Sequence, residues 1–111
     1  MVARFEVKLM EEAKDYLTGV DEKVREKMLF NIRLARFRND PDLLKKLNDN
    51  IWEFRTRYGG NQYRLLAFWD KRTPTGTMII VSHGFMKKTD KVPGREILRA
   101  ERARSEYFSA T

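Results

Sequence analysis

At 111 residues, 41% of them apolar and 35% charged, the chain can fill one modest hydrophobic core and is too short for two, so residues 1–111 are read as a single domain. It has no cysteine, which excludes a disulfide framework, a Cys-ligated zinc site and thiol chemistry. No apolar run approaches the roughly 18 residues of a membrane span. The opening M-V-A-R-F-E-V-K lacks the apolar core of a signal peptide, so a cytoplasmic location is expected. The net charge of +7 is uneven: residues 1–50 carry 11 Lys and Arg against 10 Asp and Glu, and residues 51–111 carry 12 against 6. A basic second half favours a phosphate-bearing partner or a membrane surface. No helix pattern sets Trp or Phe opposite a Lys-rich face, which argues against the membrane.

Phe5, Val7 and Leu9 alternate with Glu6 and Lys8, the period of a half-buried strand, expected at a sheet edge. Glu11 to Leu17 reads as a short helix that Thr18-Gly19 ends with a left-handed cap. Asp21 is an N-cap for a longer helix. In that helix Val24, Met28, Ile32 and Ala35 form a core stripe, which Phe30, Leu34 and Phe37 widen. Asn39-Asp40-Pro41 breaks the helix, and Asp40 is expected to cap a short helical turn through Leu43, Leu44 and Leu47.

From Ile51 the period changes to two. Ile51–Tyr58 and Gln62–Asp70 are predicted strands joined by a Gly59-Gly60-Asn61 hairpin. A longer turn at Lys71–Gly76, built on Pro74 and Gly76, leads to a third strand, Thr77–Phe85. Its apolar start, Met78–Val81, places it centrally. Pro93 opens a last helix to about Phe108, with Ile97, Ala100, Phe108 and Tyr107 inward and Arg95, Arg99 and Arg102 as an outward basic stripe. Fraying is expected over Ser109–Thr111. The predicted fold is α+β, in the order β-α-α-β-β-β-α: a small twisted antiparallel meander with the helices on one face.

Hairpin register decides which arginines meet. Two-residue loops of Gly and Asn are favoured because both central residues need positive φ. Such a loop puts Glu53, Arg55, Arg57 and Arg64 on one face, with Trp52, Phe54 and Tyr58 on the other. On the third strand Val81, His83 and Phe85 are expected to share a face, and the sequence leaves open which one. Cations so grouped repel unless an anion sits among them, and Glu53 offsets only one.

His83 is the sole histidine. With no Cys and no second His a zinc site is excluded. A general base, a phosphate contact and a buried histidine satisfied by a backbone carbonyl all remain open for it. No Ser-His-Asp arrangement is recognisable in the sequence, and the glycines form no nucleotide-binding loop. The favoured anion is RNA, which carries its own nucleophile in the 2′-OH. A site that orients this hydroxyl, stabilises charge with Arg, and supplies a Lys made more acidic by neighbouring cations can cleave RNA without a metal.

Three blocks carry a resemblance: L-K-K-L-N-D-N-I-W-E-F-R (Leu44–Arg55), Y-R-L-L-A-F (Tyr63–Phe68) and I-I-V-S-H-G-F-M-K-K-T-D-K-V-P-G-R-E-I-L-R-A (Ile79–Ala100). From about Leu43 to Tyr107 the chain resembles the phage-derived, HigB-like branch of the RelE/ParE toxin superfamily. The paired W-E-x-R and Y-R blocks and H-G-F-x-K-K-T-x-K-x-P are distinctive; the first 40 residues match only in their strand-helix-helix pattern. The resemblance implies the toxin of a type II toxin–antitoxin pair, a RelE-like fold, and metal-independent cleavage of mRNA in the ribosomal A site by 2′-OH attack. It further implies a cognate antitoxin of helix-turn-helix type and no cofactor. It assigns Arg55, Arg64 and Lys88 to phosphate and transition-state charge, and Lys87, Lys91 or His83 to acid–base work. Arg57, Arg95, Arg99, Arg102 and Tyr107 are the expected RNA contacts, Tyr107 lying where the superfamily often has a catalytic aromatic. The alternatives are a ParE-like inhibitor of DNA gyrase, which has no need of a shared cationic face, and an inactive relative that only binds nucleic acid.

Overall fold

The computed structural model describes residues 2–72 and 76–110. Its elements are β1 (Glu6–Leu9), α1 (Glu11–Gly19), α2 (Glu22–Phe37), β2 (Leu44–Lys46), β3 (Trp52–Tyr58), β4 (Asn61–Asp70), β5 (Met78–Lys87) and α3 (Gly94–Ser109). The predicted turn at Lys71–Gly76 centres on Pro74, and residues 73–75, like Thr111 in the predicted frayed end, lie outside the described residues. Among the described residues no helix is long and apolar enough to cross a membrane.

The fold is α+β, as expected, with one five-stranded sheet in the order β1-β5-β4-β3-β2. Three details differ from the sequence reading. First, the sheet is not wholly antiparallel: the edge strand β1 pairs parallel to β5, Glu6 opposite Met78 and Leu9 opposite Val81. Second, the segment expected as a helical turn forms β2. Asp40 does cap a turn, its Oδ1 accepting from the Asp42 amide and its carbonyl from the amides of Leu43 and Leu44. The chain then extends and pairs Leu44 with Phe54, because strand β3 offers an open row of backbone groups that a single helical turn would leave unpaired.

Third, the helices pack on both faces. Helices α1 and α2 cover one face through Ala13, Leu17, Val24, Met28, Ile32 and Ala35, against Phe54, Leu65, Ala67, Ile79 and Val81. Helix α3 covers the other face, with Ala100, Ile97, Tyr107 and Phe108 against Ile51, Leu66, Phe68 and Ile80. Burial on both faces is why β4 and β5 carry unbroken apolar runs, Leu65–Phe68 and Ile79–Val81. The core stripe of α2 is narrower than predicted: Phe30 and Phe37 are exposed.

Two glycine positions shape the sheet. Gly59 and Gly60 form the hairpin loop with φ of 58° and 82°, the two-residue arrangement that positive φ at both positions allows. Gly84 on β5 is a close-approach position. A Cβ there would lie 2.4 Å from Tyr16 Cδ2 and 2.7 Å from Leu65 Cδ2. The Tyr16 ring lies against this bare backbone, and burial, with Tyr63 nearby, pushes its hydroxyl pKa up to about 12. Gly19, by contrast, ends α1 without left-handed backbone. We therefore expect Gly84→Ala to destabilise the protein by about 1–3 kcal/mol through overpacking. Urea unfolding followed by circular dichroism checks this, with unchanged stability as the contrary result.

Candidate nucleic-acid interface

The hairpin register puts Arg55 opposite Arg64 and Arg57 opposite Gln62. Alternation then sets Glu53, Arg55, Arg57, Gln62 and Arg64 on one face, as the two-residue loop requires. Strand β5 joins the same face with His83 opposite Leu66, Phe85 opposite Arg64 and Lys87 opposite Gln62. Val81 does not share that face. The register slips between Leu66 and Ala67, so that Leu66 meets His83 while Ala67 meets Val81. The extra residue, Ser82, is a bulge that sends Val81 to the α1–α2 side and turns His83 toward α3.

Arg64 lies at the centre of this face and is only 1% exposed. Its Nε stands 2.8 Å from Glu53 Oε1. The two atoms are close but poorly aligned, so neither completes a hydrogen bond there. Its Nη2 donates to Gln62 Oε1 at 2.8 Å and its Nη1 to the Tyr63 carbonyl at 3.0 Å. Burial lowers the Arg64 pKa; Glu53 counters this, and Arg55 and Arg57 add to it. The sequence presents Arg64 as an open cation like its neighbours. The structure makes it the floor of the cluster, already held by a buried carboxylate.

The accessible cations surround it. Arg55 is half-buried, its Nη1 donating to the Pro41 carbonyl at 3.3 Å, while its buried Nε–H makes no hydrogen bond. Arg57 is exposed and Lys87 half-exposed. Burial, then Arg64, lowers the Lys87 pKa; Glu53 raises it and Arg55 lowers it further. Lys88 and Lys91 are exposed on the connection between β5 and α3, where Thr89 Oγ1 donates to the Lys91 carbonyl. Beside Arg55 an open notch of about 460 Å³ is lined by Lys27, Asn31, Leu34, Asp42, Leu43, Thr56, Arg57 and Arg64 as well.

His83 is 1% exposed and sits beneath α3. Its Nδ1 lies 2.9 Å from Ser82 Oγ and its Nε2 3.1 Å from Glu96 Oε1. Both ring nitrogens are thus engaged by side chains, and no backbone carbonyl is needed. Burial lowers the His83 pKa, Arg99 adds to this, and Glu96 opposes it. The Ser82–His83–Glu96 row escaped the sequence reading because the bulge and the packing of α3, neither visible in the sequence, bring it together.

The remaining expected RNA contacts do not converge on Arg64. Arg95, Arg99 and Arg102 are exposed on α3, as predicted. Arg99 bridges to α1 through Glu12 and approaches Glu96 at 3.9 Å. Tyr107 donates to Asp70 Oδ2 at 2.7 Å and meets Phe68 and Phe108 edge to face. Asp70 also accepts from Arg72; these two donors hold its carboxyl well below the usual carboxylate range despite burial. Asp70 stands six residues along β4 from Arg64, roughly 20 Å at strand rise, so Tyr107 belongs to the opposite end of the sheet.

A family model for the phage-derived Gp49-like proteins (DUF891) matches residues 15–105. No curated protein matches the chain.

Two outcomes follow from this geometry. Glu53→Gln leaves a buried guanidinium without its counter-charge and should cost about 3 kcal/mol or more in urea unfolding; a loss below about 1 kcal/mol is the contrary result. For His83, the folded state disfavours the proton that the unfolded chain accepts below its ordinary value of about 6.5. Its contribution is therefore complete above that pH and is lost as pH falls from there toward the lowered folded value. Stability measured from pH 7.5 to 5 should decline more steeply for the natural chain than for His83→Gln, and parallel curves would show that His83 carries no such linkage.

Proposed function

The chain belongs to the Gp49-like family of phage-derived proteins, a family associated with RelE- and HigB-like toxins, and from this membership and the geometry above we propose that it is the toxin of a toxin–antitoxin pair that cuts mRNA on the ribosome. One observation carries the reading: Arg55, Arg57, Arg64 and Lys87 share a sheet face whose neighbouring strand positions supply a single carboxylate, Glu53. Glu53 is consumed by Arg64. The surplus positive charge at Arg55, Arg57 and Lys87 then fits a phosphodiester.

In the proposed reaction the 2′-OH attacks the adjacent phosphorus. The 2′-O–P bond forms and the P–O5′ bond breaks, leaving a 2′,3′-cyclic phosphate and a 5′-hydroxyl. Lys87 is the proposed proton carrier, since burial and the neighbouring guanidiniums ease loss of its proton. Arg55 and Arg57 neutralise the charge that grows on the phosphoryl oxygens. Arg64 acts from below, holding the field and the strand spacing without touching RNA. Lys88 and Lys91 meet flanking phosphates, and Arg95 extends that track along the first turn of α3. His83 has both nitrogens engaged and buried, so in this scheme it props β5 against α3 and takes no part in proton transfer. The partners are the ribosome with mRNA in its A site and a cognate antitoxin that covers the cationic face.

Primer extension on a defined mRNA, with and without programmed ribosomes, tests the proposal. Discrete cuts that need ribosomes are expected. Cuts on free RNA would instead make the protein a ribosome-independent nuclease, and no cuts from a folded protein would shift the reading to gyrase inhibition or binding alone. Lys87→Arg keeps the charge and removes a transferable proton. It should lower single-turnover cleavage about 100-fold or more while ribosome binding is retained; near-normal cleavage would remove Lys87 from the chemistry.

A further inference from the structure

Strand β2 is only three residues long and covers β3 from Trp52 to Phe54. The Arg55 amide also donates to the Leu43 carbonyl at 2.9 Å, and the notch of about 460 Å³ lies where this pairing ends, between α2 and the turn at Asp42 and Leu43. Its size is that of a small-ligand site. Leu34 and Leu43 give it apolar walls, suited to the face of a flat ring.

The polar groups are fixed before any ligand arrives. Asn31 is 7% exposed, and its Nδ2 donates to the Arg55 carbonyl and to Thr56 Oγ1, each at 3.2 Å. A carbonyl only accepts, so this pairing identifies the nitrogen, and Oδ1 is left as a pure acceptor with no partner among the described residues. The Arg55 Nε–H is buried without an acceptor. A buried donor without an acceptor is uncommon in a folded protein. Asp42 is the third group. The turn holds it, its amide donating to Asp40 Oδ1. Its carboxylate makes no ion pair among the described residues, although Lys27, Arg55 and Arg57 line the same notch.

We propose that this notch is a nucleobase subsite selective for guanine. Guanine alone presents two adjacent donors, N1–H and N2–H₂, beside one acceptor, O6. The Asp42 carboxylate and Asn31 Oδ1 supply acceptors for the donors, and Lys27 at the rim supplies the donor for O6. Adenine offers one donor and one acceptor on that edge. Uracil and cytosine each offer two acceptors, and so bring at most one donor to the pair Asp42 and Asn31. Arg57 sits where notch and sheet face meet, placed to take the attached phosphate. The inference rests on the RNA reading for its biological substrate, but base selectivity is a property of the notch that can be measured without ribosomes or cleavage.

The test is titration of the ¹⁵N-labelled full chain with GMP, AMP, UMP and CMP, following the Arg55 Nε–H and Asn31 Nδ2 signals by NMR. GMP should move both at concentrations about tenfold lower than the other three nucleotides, the discrimination expected of a paired hydrogen-bond contact. Asp42→Asn, an exposed turn substitution, should erase that preference while leaving the backbone spectrum unchanged. Equal titration by all four nucleotides, or an unaltered GMP preference in Asp42→Asn, overturns the proposal. The arms separate the two readings. GMP preference without ribosomal cleavage sinks the toxin reading and upholds the subsite; ribosomal cleavage without GMP preference does the reverse.

Discussion

A guanidinium and a carboxylate, Arg64 and Glu53, lie almost wholly buried in the middle of a sheet face, and the arrangement around them follows from that pair. Two charges cannot leave water without strong compensation. The compensation here is local: Glu53 on β3, and Gln62 and the Tyr63 carbonyl on β4. Any slip of β3 against β4 by one residue would move Glu53 to the opposite face and strand Arg64. The pair therefore ties the hairpin register to the charge pattern. It also uses up the one carboxylate that the strand positions of this face supply, and the field of the cations around it reaches solvent.

The second constraint is that helix covers the α3 face of the sheet at one end and leaves it at the other. Helix α3 lies over Leu66, Phe68 and Ile80 and stops short of Arg64 and Lys87. Its hold on β5 includes a polar link, Glu96 to His83, available only because the Ser82 bulge turns the histidine that way. A regular strand would have put His83 under α1 and α2 with the aliphatic core. The bulge thus decides two things: which face β5 serves beyond Val81, and where the basic end of the sheet begins.

Much of this was legible in the sequence. A two-residue loop at Gly59-Gly60 or Gly60-Asn61 sets the same alternation, so the shared arginine face followed from turn chemistry, while the choice of Gly59-Gly60 and hence the register did not. Helix α2 announced itself through the spacing of Val24, Met28, Ile32 and Ala35, and α3 through Pro93 and its inward residues. What stayed hidden depends on tertiary placement. Nothing in the alternation of β4 separates a buried Arg64 from an exposed one, because the cover comes from Glu53 and Gln62 on neighbouring positions. The three leucines at 43, 44 and 47 fit a helical turn until a β3 edge competes for their backbone. The side of the sheet taken by α3 is set by the continuous apolar runs of β4 and β5, a signal present in the sequence and read only as centrality. Asn31 adjoins the apolar stripe of α2, and its amide is a bracket between α2 and β3 that only tertiary placement reveals.

The parallel pairing of β1 with β5 has a consequence for how the chain assembles. β1 leaves the ribosome before the other strands of the sheet, yet its partner, Met78–Val81, follows roughly seventy residues later. The helices α1 and α2 and the hairpin of β3 and β4 can form from neighbours in sequence, whereas β1 must wait, and closing so long a loop is entropically slow compared with local pairing. The strand it waits for also carries Lys87. The cationic face therefore cannot be completed until β5 has been made, and a nascent chain held short of β5 has the hairpin arginines without the strand that completes their charge. Vectorial translation thus gives this fold a built-in delay between making its scaffold and completing its basic surface.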